Sequence, residues 1–186
     1  MRLKWYLIII SICIVIISSI VSLTQNVVFI ETLLITCLST LFVIIIDGIT
    51  ATISRLLPQV IAKKETDIFK VTRKERNFYS KLQIKKWKDK IPEIGHFTGF
   101  RKNKISDPKN PEYIKRFIIE SAYGEIGHFL SVFTGVLLLL IPIFPQVWFS
   151  ISLGVMIVNG ILNIPPIIVL RYNKFTLLSI YKKMKN

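Results

Sequence analysis

The sequence predicts an all-α polytopic membrane protein: four transmembrane helices, with a basic cytoplasmic segment of interfacial helices between spans two and three. Three observations lead there. Apolar stretches at about 7–23, 27–46, 126–141 and 147–170 are each close to the ~17–25 residues that carry a helix across about 30 Å of hydrocarbon. None of the 25 Lys and Arg residues falls inside them. The cations also segregate: Arg2 and Lys4 precede the first stretch, eighteen lie between Arg55 and Arg116, five follow from Arg171, and residues 24–26 and 142–146 carry none. The positive-inside rule then places both termini and the middle segment in the cytoplasm of a cell-membrane protein. That orientation needs an even number of spans, and residues 1–186 form a single integral membrane domain.

Span one, 7–23, begins after a basic cap, as a secretory signal peptide also does. No small-x-small cleavage site stands out near Ser18 to Ser22, and its removal would leave three spans. It is therefore read as a retained helix. Span two, 27–46, continues through Asp47-Gly48 towards Leu57, because Ile49 to Ser54 stays mildly apolar until Pro58. Glu31 stands near the opposite face, where snorkelling to water accounts for it. The third stretch reaches spanning length only as 117–141, which draws Glu120, Glu125 and His128 into or just beneath the bilayer. Span four, 147–170, contains Asn163-Ile164-Pro165-Pro166; two successive prolines delete two backbone donors, so a kink or break is expected there.

The middle segment, about 55–116, is too short for a large independent core and long enough for helices lying on the membrane. Val71, Phe78 and Leu82 fall near one helical face with Lys and Arg around the rest. Lys85-Lys86-Trp87-Lys88-Asp89-Lys90 sets a tryptophan, a residue of the headgroup zone, among cations. Pro92, Gly95 and Gly99 break regularity, and Asn110 or Glu112 begins the helix that becomes span three.

Charge excludes one class of function. A formal net charge of +14 in a water-soluble protein would suggest nucleic acid, but these cations flank apolar spans and match anionic lipid headgroups, so membrane lipids and not nucleic acid are the expected partners. Cys13 and Cys37 lie inside spans and read as small packing residues. No metal is expected: two carboxylates and His128 could offer ligands, but no second His or Cys lies nearby, and His96 is the only other histidine.

Ionisable groups at membrane depth cost about 2.5–3.5 kcal/mol each on insertion scales and are functional candidates by default. Glu125, His128, Asn159, Asn163 and Asp47 fall at similar depth beneath the inner leaflet. Glu125 and His128 are spaced i, i+3, and Glu120, Gly124 and His128 form an i, i+4, i+8 stripe. A carboxylate beside an imidazole holds its tautomer and raises its basicity, which suits a general base drawing a proton from a hydroxyl. A buried polar pair that joins helices is the competing reading. Lys86, Lys88 and Arg101 suit a phosphate or carboxylate of a substrate, with Trp87 flooring or gating the entry; lipid anchoring is the alternative.

Three blocks together resemble a known family. Lys85-Lys86-Trp87-Lys88-Asp89-Lys90-Ile91-Pro92, Glu120-Ser121-Ala122-Tyr123-Gly124-Glu125-Ile126-Gly127-His128, and Asn163-Ile164-Pro165-Pro166 through Arg171-Tyr172-Asn173 are similar to the glycosyl-4,4′-diaponeurosporenoate acyltransferases. These are small integral membrane proteins that include the enzyme of the last step of staphyloxanthin synthesis, carotenoid biosynthesis in which a fatty acyl group is placed on the 6-hydroxyl of a carotenoid-linked glucose. The resemblance covers about residues 75–176. It departs where the family's Ala-Glu-Leu-x-His reads Gly-Glu-Ile-Gly-His, and where Lys174-Phe175-Thr176 replaces Arg-Pro-Arg.

The resemblance implies an acyltransferase acting on a hydroxyl of a lipid-linked, glycolipid-like acceptor at the cytoplasmic leaflet. It needs no cofactor beyond an acyl donor such as acyl-CoA or another acyl carrier as co-substrate. His128 would be the base, oriented by Glu125 or Glu120; Asn159, Asn163 or Arg171 would donate to the oxyanion; Lys86, Trp87, Lys88, Arg101, Tyr172 and Asn173 would bind substrate. Asp47-Gly48-x₃-Thr52-x₂-Arg55 faintly resembles the CDP-alcohol phosphotransferase motif, but the further aspartates of that metal site are missing from the span. The non-catalytic alternative is an anionic-lipid-binding transporter subunit or membrane assembly factor.

Overall fold

The computed structural model describes residues 2–58, 70–91, 105–140 and 148–185. Arg101, His96, the Pro92, Gly95 and Gly99 breakers and the connection 142–146 lie outside the described residues. The elements are α1 (Arg2–Gln25), α2 (Phe29–Leu56), α3 (Arg73–Lys81), α4 (Ile84–Trp87), a 3₁₀ turn (Lys88–Lys90), α5 (Pro111–Thr134), α6 (Val136–Leu139) and α7 (Trp148–Lys185). There is no strand among the described residues. Four helices, α1, α2, α5 continued by α6, and α7, are long and apolar enough to cross a membrane.

Each helix outruns its apolar stretch for a local reason. α2 continues to Leu56, as its mildly apolar tail suggested. α5 starts at Pro111, a residue whose missing N–H costs nothing in a first turn. Asn110 caps it, Oδ1 accepting from the N–H groups of Glu112 (3.0 Å) and Tyr113 (3.1 Å). The expected break in span four is not found, since α7 remains helical through Pro165 and Pro166. Each proline forfeits one bond to the carbonyl four residues back and crowds that carbonyl with its ring, while its fixed φ suits a helix. A full break would free more backbone groups in surroundings that offer few partners.

The chain divides into two compact units, one of residues Met1–Thr52 and Gly127–Ile164, the other of Ile53–Ile126 and Pro165–Asn186. In the first, Val21, Ile35, Val43, Leu138, Trp148, Ile151 and Val155 form the core. Small hydroxyl residues carry the contact of α1 with α2: Ser18, Thr32, Thr36 and Ser39 are buried, and Thr32 Oγ1 lies 3.2 Å from the Ser18 carbonyl. Short side chains let backbones approach, and their hydroxyls bond to helix carbonyls such as Ile14 and Phe29. Gly135 serves the same end against α7, because a Cβ there would sit 2.7 Å from the Met156 Cα. The outer faces are apolar: Leu7, Ile12, Ile16, Ile20, Leu34 and Leu38 are all exposed. Water would solvate such a continuous surface poorly and acyl chains solvate it well.

In the second unit, Tyr79, Ile84, Val169 and Tyr172 form one buried cluster, with Trp87, Ile91 and Ile168 against it. Ile114, Phe117 and Leu177 form another. α3 begins at a capping pair, Thr72 Oγ1 accepting from the Glu75 N–H at 3.1 Å. Val71 is buried, whereas Phe78 and Leu82 of the expected apolar face stay exposed and Tyr79 turns inward.

Candidate functional site

Two polar clusters stand out, one in each unit. In the first unit, α2, α5 and α7 each send a polar side chain to a common point. The Asp47 carboxylate of α2 accepts from Thr134 Oγ1 at Oδ1 (2.5 Å) and from Asn163 Nδ2 at Oδ2 (3.2 Å). Asn163 Nδ2 also faces the Asn159 carbonyl and Asn159 Oδ1, each at 3.1 Å. Three acceptors around one nitrogen leave little freedom in the amide's orientation: turned over, its oxygen would meet a carboxylate and a carbonyl. The Asn163 oxygen therefore points the other way, and it lies 2.9 Å from His128 Nδ1. An oxygen that can only accept requires Nδ1 to carry the proton, so the lone pair of the neutral imidazole is on Nε2. Asn163 is buried and His128 half-buried.

Asn159 supports this arrangement from one turn earlier on α7. Its Nδ2 donates to the Ser131 carbonyl (2.7 Å) and to Thr134 Oγ1 (3.1 Å). Both hydrogens of each amide, Asn159 and Asn163, are thus directed to protein oxygens.

The second cluster centres on Arg171 of α7. Its Nε and Nη2 hold the two oxygens of Glu75 at 2.5 and 3.0 Å, a bidentate pair. Nη1 donates to Glu125 Oε1, and Lys174 Nζ lies 3.6 Å from Glu125 Oε2. Tyr79 OH donates to Glu75 Oε1 at 2.6 Å, and the Arg76 guanidinium stacks 4.7 Å above the Phe175 ring. Burial alone would raise the Glu75 carboxyl, but the bonds from Arg171 and Tyr79, the Arg171 charge and the helix-capping turn at Thr72 outweigh it and hold Glu75 below the usual carboxylate range. Tyr79 is pushed up to about 12, first by burial and then by its bond to the Glu75 carboxylate and that group's charge, against the opposing influence of Arg171.

The residues singled out from sequence are thus sorted by the fold. His128, Asn159 and Asn163 come together with Asp47. Glu125, proposed to orient His128, is 4% exposed and takes Arg171 and Lys174; the alternative, Glu120, pairs with Arg55 at 3.9 Å. A guanidinium opposite a buried carboxylate is a far stronger attraction than a neutral ring one turn away. Tyr172 is buried with Tyr79 and Ile84. Lys86 is exposed, Trp87 and Lys88 are half-buried, Asn173 is half-buried, and the Trp87 indole donates to the Leu82 carbonyl at 2.9 Å.

Two participants were missed in the sequence. Glu75 is the only carboxylate between Lys70 and Lys88, a signal in itself, and its Thr-x-x-Glu spacing marks a helix start. Asp47, read from sequence as closing span two, carries no role there, yet it meets Thr134 and Asn163.

Among the described residues these features define an all-helical protein with four helices long and apolar enough to cross a membrane and a histidine held by an amide. The family model for glycosyl-4,4′-diaponeurosporenoate acyltransferase matches residues 63–183, and the chain belongs to that family. The family name implies acyltransferase activity and carotenoid biosynthesis. A comparison with curated proteins found no match, and neither did a comparison with solved structures.

Proposed function

We propose that the protein is a membrane-embedded acyltransferase that moves a fatty acyl group from an activated donor to a hydroxyl of a lipid-linked, glycosylated acceptor, at the cytoplasmic leaflet with both termini cytoplasmic. The observation that carries this reading is the 2.9 Å contact between His128 Nδ1 and Asn163 Oδ1, which assigns the basic lone pair to Nε2. Family membership supplies the reaction class. Nε2 takes the acceptor hydroxyl's proton as its oxygen bonds to the donor's carbonyl carbon. The tetrahedral intermediate then collapses, the bond from carbon to the leaving sulfur or oxygen breaks, and the imidazolium returns the proton to the leaving group. The ester product and the free carrier balance the reaction without a metal or redox cofactor.

The exposed cations of the middle segment, Lys85, Lys86 and Lys90, together with half-buried Lys88, are suited to phosphates of lipid headgroups or of a donor such as acyl-CoA. Mass spectrometry of lipid extracts from cells carrying the intact chain or His128→Gln tests the reaction. A species one acyl group heavier should accompany the intact chain and fall by about 10²–10⁴ in the variant, the usual worth of a general base. Identical lipids from both cells, with both chains present in the membrane at equal level, would support the non-catalytic lipid-binding role.

A further inference from the structure

We infer that Asp47 is a positioning residue that acts on His128 through Asn163: its carboxylate sets the orientation of the Asn163 amide, and the amide sets which imidazole nitrogen carries the proton. This goes beyond the proposed function, on which only its catalytic consequence rests, and Asp47 lies outside the matched residues 63–183.

The inference stands on the order of donors and acceptors. A carboxylate accepts only. Of the three acceptors around Asn163 Nδ2, the Asn159 carbonyl and Oδ1 at 3.1 Å and Asp47 Oδ2 at 3.2 Å, only the carboxylate carries charge, and an amide oxygen placed there instead would oppose it. Asn163 therefore presents its oxygen to Nδ1 of His128. Asp47 is itself held, since Thr134 Oγ1 donates to its other oxygen at 2.5 Å while accepting from Asn159 Nδ2 at 3.1 Å. With Asp47 as the carboxylate and the Thr134 hydroxyl turned to it rather than to the Ser131 carbonyl at 2.9 Å, the chain Thr134, Asp47, Asn163, His128 has a consistent set of hydrogen positions. The same logic of a carboxylate or amide fixing an imidazole tautomer operates in hydrolytic triads; here the amide stands between.

The test is spectroscopic. The chain holds two histidines, so ¹⁵N-histidine labelling of a His96→Gln protein, reconstituted in lipid bilayers, leaves His128 as the only imidazole signal. Above its titration the intact network should show a protonated, pyrrole-type Nδ1 and a pyridine-type Nε2. Asp47→Leu removes the acceptor and should shift the ring towards the opposite tautomer or a mixture. Asp47→Asn keeps one acceptor for Asn163 and can donate to Thr134 Oγ1, whose hydroxyl then serves the Ser131 carbonyl, so it should keep the tautomer. An Nε2-protonated ring in the intact chain overturns the inference. So does an Asp47→Leu spectrum identical to the intact one. Neither readout needs substrate, so loss of the proposed reaction and loss of this arrangement are distinguishable. In the acyl-transfer assay, Asp47→Leu should reduce product by about tenfold or more, a part of what the base supplies, with the spectrum showing whether the tautomer is the cause.

Discussion

Arg171 on α7 grips Glu75 on α3 with two nitrogens, Nε at 2.5 Å and Nη2 at 3.0 Å, while its third nitrogen serves Glu125 on α5. One guanidinium thus ties a short helix of the basic segment to two long ones. Glu125 and Lys174 have side chains 6% and 5% exposed, and removing the central cation would leave two carboxylates facing each other with one ammonium.

Arg171→Ala should therefore destabilise the protein by about 3–5 kcal/mol, the cost of orphaning buried charge, with the smaller share falling on Glu75, whose side chain is 22% exposed. Arg171→Lys keeps the charge and loses the planar fork, so it should recover only part of the loss. Thermal unfolding in detergent measures both. An Arg171→Ala protein as stable as the parent would show that the network holds nothing together.

The same network sets two pH windows of opposite sign. Glu75 has a folded value below its ordinary 4.5, so its stabilising contribution is complete above that value and is lost as pH falls through the folded one. Tyr79, raised from 10.0 to about 12, contributes stability that is present below pH 10.0 and declines as pH rises towards 12. Ultraviolet titration of tyrosinate, compared between the parent and Tyr79→Phe, should reveal one phenol ionising near 12. If the two curves coincide after allowing for one fewer ordinary phenol, the bond to Glu75 does not form in solution.

Asn163→Leu removes the acceptor of His128 Nδ1 and a donor to Asp47 while keeping side-chain size. Acyl-transfer product should fall towards the level of His128→Gln, a loss of up to about 10²–10⁴. Full activity in Asn163→Leu beside an inactive His128→Gln would mean that some other group orients the ring.

Gly135→Ala probes the packing that carries this layer. The added methyl would lie 2.7 Å from the Met156 Cα and 3.0 Å from its Cβ, backbone that cannot rotate away. α7 must shift, at a cost of about 1–3 kcal/mol. Gly48→Ala is the control, since nothing lies within 4 Å of that position, and in a helix alanine should be neutral or stabilising there.

Hydropathy, length and the placement of cations were sufficient to locate four long helices and a basic segment, and to find polar residues from three helices at one depth. Each of those inferences concerns how single residues partition between hydrocarbon and water, which neighbours barely alter. Spacing along one helix also showed that Glu125 and His128 are three residues apart, but not which partner either would take. That choice depends on how the helices of each unit are rotated, in the first unit by contacts such as Ser18 with Thr32 and Gly135 with Met156. Only the tertiary structure gave Glu125 to Arg171 and His128 to Asn163, because pairing between helices follows from side chains far apart in the chain, and buried charge is drawn to the strongest opposite charge within reach.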